Sequence, residues 1–246
     1  MANILDIQKV SQSFRSGFWM RKVEILHNIT LKISSRSIYG FLGPNGAGKT
    51  TLIHLIVGLR KPTLGSVKVC GFDAHSQEAR AQIGYLPERP YFHEHLTGET
   101  LLQYFGALSG MKKNQILSRI APVLSAVGLG AARKLELRKY SKGMLQRIGI
   151  AQALLHNPEF LILDEPMSGL DPLGRKEMRE LMLSQSKEGR TLFFSSHIIS
   201  DVEAVCDQLA VIREGKLLGC GKMSEFPSSL EDLFMTSESV EKNSHV

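Results

Sequence analysis

Residues 43–50 read GPNGAGKT and fit the pattern GxxxxGK[ST], and their surroundings decide what such a run can become. An apolar stretch at 37–42 precedes it and reads as a buried strand. Helical spacing follows over 49–57 and ends at Gly58, a favoured residue just past a helix. A glycine-rich turn from strand into helix can curl until several backbone N–H groups point inward at phosphate oxygens. The helix that it opens adds its positive end. Gly43, Pro44, Asn45, Gly46, Ala47, Gly48, Lys49, Thr50 and Thr51 are therefore the candidate phosphate-binding residues. Lys49 supplies a mobile point charge for the outer phosphates, and Thr50 a hydroxyl for Mg²⁺.

A second run, FLILDEP at 160–166, complements the first. Its continuous apolar part reads as a central parallel strand. That strand would carry Asp164 to the sheet edge beside the cradle, where it can hold Mg²⁺ directly or through water. Glu165 comes next and is expected on the opposite side of the strand. A second carboxylate near the metal can polarise an attacking water.

The rest of the chain supplies a frame for these two runs. Residues 4–10 and 25–33 alternate like half-exposed strands, with a loop expected over 15–22 that carries exposed aromatics. Short strands are expected at 67–70, 83–86 and 192–195, and a hairpin around Glu214 and Gly215. Helical spacing dominates 97–137, then 144–155 and 198–205. Asp171-Pro172 reads as a helix cap and first turn, with the helix running to about residue 187. Strands alternating with helices point to a mainly parallel sheet covered on both faces, with the helical block inserted into it. Met178, Leu181, Met182 and Leu183 read as core packing of an amphipathic helix.

Composition removes several other classes. Hydrophobic residues are 43% and charged residues 22% of the 246, so disorder is excluded. The net charge of +6 is spread without a long Lys/Arg block, and no nucleic acid partner is expected. Three scattered cysteines make no zinc or redox motif. No stretch reaches the ~18 apolar residues of a membrane span, and the opening residues lack a signal-peptide layout. The chain is expected to be soluble, with any membrane role exercised through a partner.

Four further motifs, in their order, resemble one family. YSKGM at 140–144, followed by LQR, resembles the signature of the ABC-type ATPases, usually LSGGQ. SGLD at 168–171 resembles their D-loop, His197 their switch histidine, and Glu88 the position of their Q-loop glutamine. Tyr140, Lys142 and Met144 depart from the usual Leu, Gly and Gln. The resemblance extends over nearly the whole chain. It implies an α/β fold of the P-loop ABC-ATPase kind, with a mainly parallel core sheet, an N-terminal antiparallel β subdomain and an inserted α-helical subdomain. Residues 1–236 would form one ATPase domain, with helices inserted at about 97–137, and 237–246 a polar tail.

The family also implies the ligands ATP and Mg²⁺ and a second ATPase subunit, a copy or a paralogue, facing the first head to tail. Ser141 and Gly143 would then contact the γ-phosphate held by the opposite subunit. Glu165 would act as base or water-positioner, His197 would bridge γ-phosphate and water, and Glu88 would keep an oxygen ligand for Mg²⁺. Phe14 resembles the aromatic that stacks on adenine, with Phe18 and Trp19 as rivals in the same loop. GFLG at 40–43, YLPE at 85–88, SKGMLQR at 141–147 and SLEDLF at 229–234 resemble the ABC-2 type exporter ATPases. That subgroup implies transmembrane permease partners and a place at the cytoplasmic face of the inner or plasma membrane. An ABC-type ATPase acting on ribosomes or DNA is the alternative. Those carry two cassettes per chain or long coiled coils, and neither is present here. A P-loop kinase would leave the signature and the histidine without a role.

Overall fold

The structure is a computed structural model, and it describes residues 3–16 and 21–226. Phe18, Trp19, the SLEDLF run and the polar tail lie outside the described residues. Two strands open the chain, β1 (Asn3–Ser16) and β2 (Arg21–Ser34), and pair antiparallel. Both exceed the expected spans. Arg15 pairs with Lys22 and Ser16 with Arg21, so the two ends of the expected loop are ladder. Backbone pairing continues there after the apolar alternation stops, which the side-chain pattern could not register.

Next come β3 (Ile38–Leu42), α1 (Lys49–Ile56), β4 (Leu64–Val69), the short β5 (Phe72–Asp73), α2 (Gln77–Ala81) and β6 (Ile83–Leu86). β5 and α2 were not expected. α2 is only five residues long and depends on Ser76, whose side chain accepts from the Ala79 N–H. α3 (Gly98–Leu108) and α4 (Lys113–Ala126) follow, then α5 (Lys142–Leu154), β7 (Phe160–Leu163), α6 (Pro172–Lys187) and β8 (Thr191–Ser196). The chain then adds α7 (Ile199–Glu203), β9 (Gln208–Arg213) and β10 (Lys216–Lys222). α5 starts two residues ahead of its expected start because Ser141 caps it, accepting from the Met144 N–H at 3.2 Å. α6 begins as expected, with Asp171 accepting from Gly174 N and Pro172 in the first turn.

A six-stranded sheet runs in the order β10-β9-β3-β8-β7-β6, parallel except for the β9–β10 hairpin. A four-stranded antiparallel sheet runs β2-β1-β4-β5. Side-chain alternation along the parallel strands divides the interior in two. Phe160, Ile162, Phe193, Tyr39 and Phe41 join α1 and the antiparallel sheet in one core. Leu161, Leu163, Leu192 and Phe194 face the helices on the other side, including Met178 and Met182 of α6 and the α3–α4 block. α1 is thereby fixed between the two sheets, with its first turn at the C-terminal edge of β3.

A buried carboxylate holds α6 to α7. Asp201 is 1% exposed and takes Nη1 of Arg175 at 3.1 Å and Nη2 of Arg179 at 2.9 Å. Asp201→Ala should cost about 3 kcal/mol, the low end for breaking a buried ion pair, because both guanidinium groups can turn toward water. Urea unfolding checks this, and a midpoint equal to that of the unaltered protein would show that the pair adds nothing.

Candidate functional site

The cradle forms where β3 ends and α1 begins. Gly46 and Gly48 take φ of 81° and 103°, left-handed values that glycine reaches without the steric cost of a Cβ. Those two turns let the loop curl back ahead of α1. The first turn of α1 carries no acidic side chain, so the helix keeps its positive end free. Lys49 is 7% exposed and lies inside the loop, with Nζ donating to Gly43 O at 2.6 Å and Pro44 O at 3.1 Å.

Glu165 meets that lysine. Its Oε1 lies 3.2 Å from Lys49 Nζ, and its Oε2 accepts from Nδ1 of His197 at 2.9 Å. Glu165 was expected on the opposite side of the strand, as a second carboxylate near the metal, and its contacts place it against the lysine of the cradle. The residue lies past the end of β7 with φ of 47°, so the strand's alternation no longer governs its direction. The left-handed turn brings the side chain back to the lysine and the histidine.

Asp164 sits behind the pair, 1% exposed. Its Oδ1 accepts from Ser195 Oγ at 2.6 Å, while Oδ2 is buried without a hydrogen-bond partner. Burial pushes the Asp164 carboxyl above its ordinary range. The hydroxyls of Ser195 and Thr50 pull it back, and the charges of Glu165 and Glu88 raise it further. An unpartnered buried carboxylate oxygen beside a threonine hydroxyl is the donor set of a hard, oxygen-seeking cation, so these residues fit Mg²⁺.

The open face of the cluster is a cavity of about 680 Å³, lined by Phe14, Pro44, Asn45, Gly46, Gly48, Lys49, Thr50, Thr51, Glu88, Glu165 and His197. Gly43 and Ala47 are buried at the base of the loop: Gly43 N donates to Ser196 O, and Ala47 O accepts from Gly215 N. Phe14 pairs across β1 and β2 with Val23, and the guanidinium of Arg60 lies 5.0 Å from the Phe14 ring centre. Ser168, the first residue of the SGLD run, also lines the cavity, as do Val23 and Ile25, which were not singled out from the sequence. An apolar strand surface carries no mark of the ligand beside it. Ser195 was missed as well, and its signal was the pair of serines that follows the apolar run of β8.

Ser141 and Gly143 do not line this cavity. Ser141 is exposed at the start of α5, where its hydroxyl caps the helix. Lys142 lies over the D-loop, where a Cβ on Gly169 would collide with its Nζ. The rings of His93 and His95 lie tilted at 38° with centroids 5.8 Å apart, and among the described residues no group of three or more His, Cys, Asp or Glu side chains could hold a metal ion.

Known proteins resemble this chain in sequence and in fold. The sequence model of the ABC transporter family matches residues 26–168. An uncharacterised ABC transporter ATP-binding protein of Synechocystis is 44% identical over 227 residues, covering 91% of this chain, and the chain spans 64% of that relative's length. A lantibiotic transport ATP-binding protein of Streptococcus pyogenes is 36% identical over 239 residues, 97% of this chain and 99% of the relative. A solved ATP-binding subunit of an ABC transporter superposes with a TM-score of 0.81 at 28% identity, covering 95% of this chain and 98% of that one.

Proposed function

Since the chain belongs to the ABC transporter family, we propose that it binds and hydrolyses MgATP as the motor subunit of an ABC-2 type exporter, coupled to transmembrane permease partners. The observation that carries the reading is the meeting of Lys49, Glu165 and His197 at the mouth of a glycine-rich loop, with Asp164 behind them. The triphosphate lies on the N–H groups of residues 46–50, and adenine stacks on Phe14. Lys49 leaves its carbonyl and carboxylate partners for the outer phosphates. Thr50, Asp164 and Glu88 would hold Mg²⁺, which neutralises charge on the β- and γ-phosphates when bound. Glu165 positions water opposite the leaving oxygen. The water oxygen bonds to the γ-phosphorus, the bond to the bridging oxygen breaks, and Glu165 or the phosphate takes the proton. His197 keeps Glu165 aimed through Nδ1 and lies where it can also touch the γ-phosphate.

Ser141 and Gly143 serve a second subunit, a copy or a paralogue. The reading is supported by an exposed serine at the start of a helix, away from its own chain's cavity. Residues 1–236 work as one ATPase unit with helices inserted at about 97–137, placed peripherally at the cytoplasmic face of the membrane. Among the described residues no helix is long and apolar enough to cross it.

Residues 86–108 form the dock for the permease. Glu88 faces the catalytic cavity at one end of this segment. The other end borders a groove of about 720 Å³ lined in part by Tyr85, Tyr91, Phe92, Phe105 and Leu108, with Tyr91 90% exposed and Leu108 65%. Tyr91→Asp and Leu108→Asp, tested in vesicles holding the complete transporter, should remove most partner-stimulated ATPase while basal ATPase of the isolated chain stays within about twofold, as for surface changes remote from chemistry. Equal loss of both activities would move the dock elsewhere.

A further inference from the structure

We propose that Ser195 is a positioning residue for hydrolysis, its single hydroxyl setting the direction of both Asp164 and Glu165; the inference rests on the ATPase reading of this site. Ser195 is fully buried on β8, the strand between β3 and β7. Leu163 pairs with Phe194 in the parallel register, so the next residue on each strand brings Ser195 beside Asp164. The hydroxyl then makes two bonds of opposite sense. It accepts from the Glu165 N–H at 2.9 Å and donates to Asp164 Oδ1 at 2.6 Å.

The first bond fixes the second. A backbone N–H can only donate, so the hydroxyl proton is turned away from Glu165 and toward Asp164. Oδ1 of Asp164 is thereby occupied, and Oδ2 is the oxygen left free for Mg²⁺. The same contact holds the backbone of Glu165 in its left-handed turn, an arrangement that costs a non-glycine residue free energy unless its surroundings enforce it. The Ser168 N–H, bonded to Glu165 O at 3.0 Å, holds the other side of that turn. β8 ends with Ser196, whose carbonyl accepts from Gly43 N at the start of the cradle, and is followed by His197. One strand end therefore registers the cradle, the metal carboxylate and the water-positioning carboxylate against each other.

The test uses the full chain with Ser195→Ala and Ser195→Cys, the latter keeping the side chain's connectivity with a somewhat larger atom that donates weakly. Three quantities are read: binding of a fluorescent ATP analogue without divalent metal, Mn²⁺ affinity of the nucleotide complex by electron paramagnetic resonance, and kcat against Mg²⁺. Hydrogen bonds to charged groups carry enough free energy for both variants to need about tenfold more Mn²⁺ and to lose about tenfold in kcat. Metal-free nucleotide binding should stay within about twofold, since the cradle keeps its own backbone bonds. Unchanged Mn²⁺ affinity and kcat would overturn the inference. So would metal-free binding that falls in step with them, because Ser195 would then only support the fold. An unaltered chain that binds no nucleotide would remove the underlying reading, and this inference with it.

Discussion

Lys49→Ala should abolish ATP turnover and also lower the stability of the nucleotide-free protein. The first effect follows from charge. Lys49 lies inside the cradle, and without it the outer phosphates lose the side-chain cation closest to the charge that moves during transfer. Loss of one such stabilising group costs on the order of 100- to 1000-fold in rate. The second effect follows from burial. Lys49 and Glu165 are 7% and 8% exposed and 3.2 Å apart. Removing the lysine leaves a buried carboxylate with His197 as its remaining partner. Breaking a buried pair from one side costs about 3 kcal/mol, which for a chain of this size lowers the melting midpoint by roughly 6–12 °C. Adding Glu165→Gln to Lys49→Ala should restore most of that stability and none of the activity. Calorimetry of the single and double variants checks this cycle. A Lys49→Ala protein that melts with the parent and turns over ATP near normally would overturn the site.

Much of this site could be read from the sequence. The glycine spacing of residues 43–50, set between an apolar stretch and helical spacing, pointed to a phosphate-binding turn, and the short apolar run ending in Asp164-Glu165 pointed to a buried strand with acids at its edge. The cap at Asp171 and the first turn at Pro172 are local chemistry and were legible for that reason. What was not legible depends on residues far apart in the chain. The hydroxyl of Ser195 meets Asp164 across 31 positions because two strands settle in one parallel register, and no local pattern encodes that register. The direction of Glu165 depends on a left-handed φ, where strand alternation gave the opposite side. The β1–β2 pairings of Arg15 with Lys22 and Ser16 with Arg21 extend the ladder into residues whose side chains show no alternation.

Ser141→Arg and Glu165→Gln should separate the two halves of the catalytic arrangement. Ser141 lies at the start of α5, outside the cavity of its own chain, so a bulky cation there leaves the cradle intact. Ser141→Arg should therefore bind ATP within about twofold of the parent, as surface changes remote from a pocket do, yet lose hydrolysis because no second subunit can close on the nucleotide. Glu165→Gln removes the water-positioning carboxylate and keeps the nearby shape. It should bind MgATP, fail to cleave it, and accumulate as closed dimers. Glutamine also removes the negative charge that Lys49 and His197 now hold, which frees both for the γ-phosphate.

The most direct measurement is the mass of the Glu165→Gln chain by size-exclusion chromatography with light scattering, with and without MgATP. It is repeated with Ser141→Arg added to the same chain. The account predicts a doubling of mass with MgATP for Glu165→Gln, no change without it, and a monomer under both conditions for the double variant. A Glu165→Gln chain that stays monomeric with saturating MgATP, or a double variant that dimerises as well as the single one, would contradict closure of Ser141 on the ATP of a facing subunit.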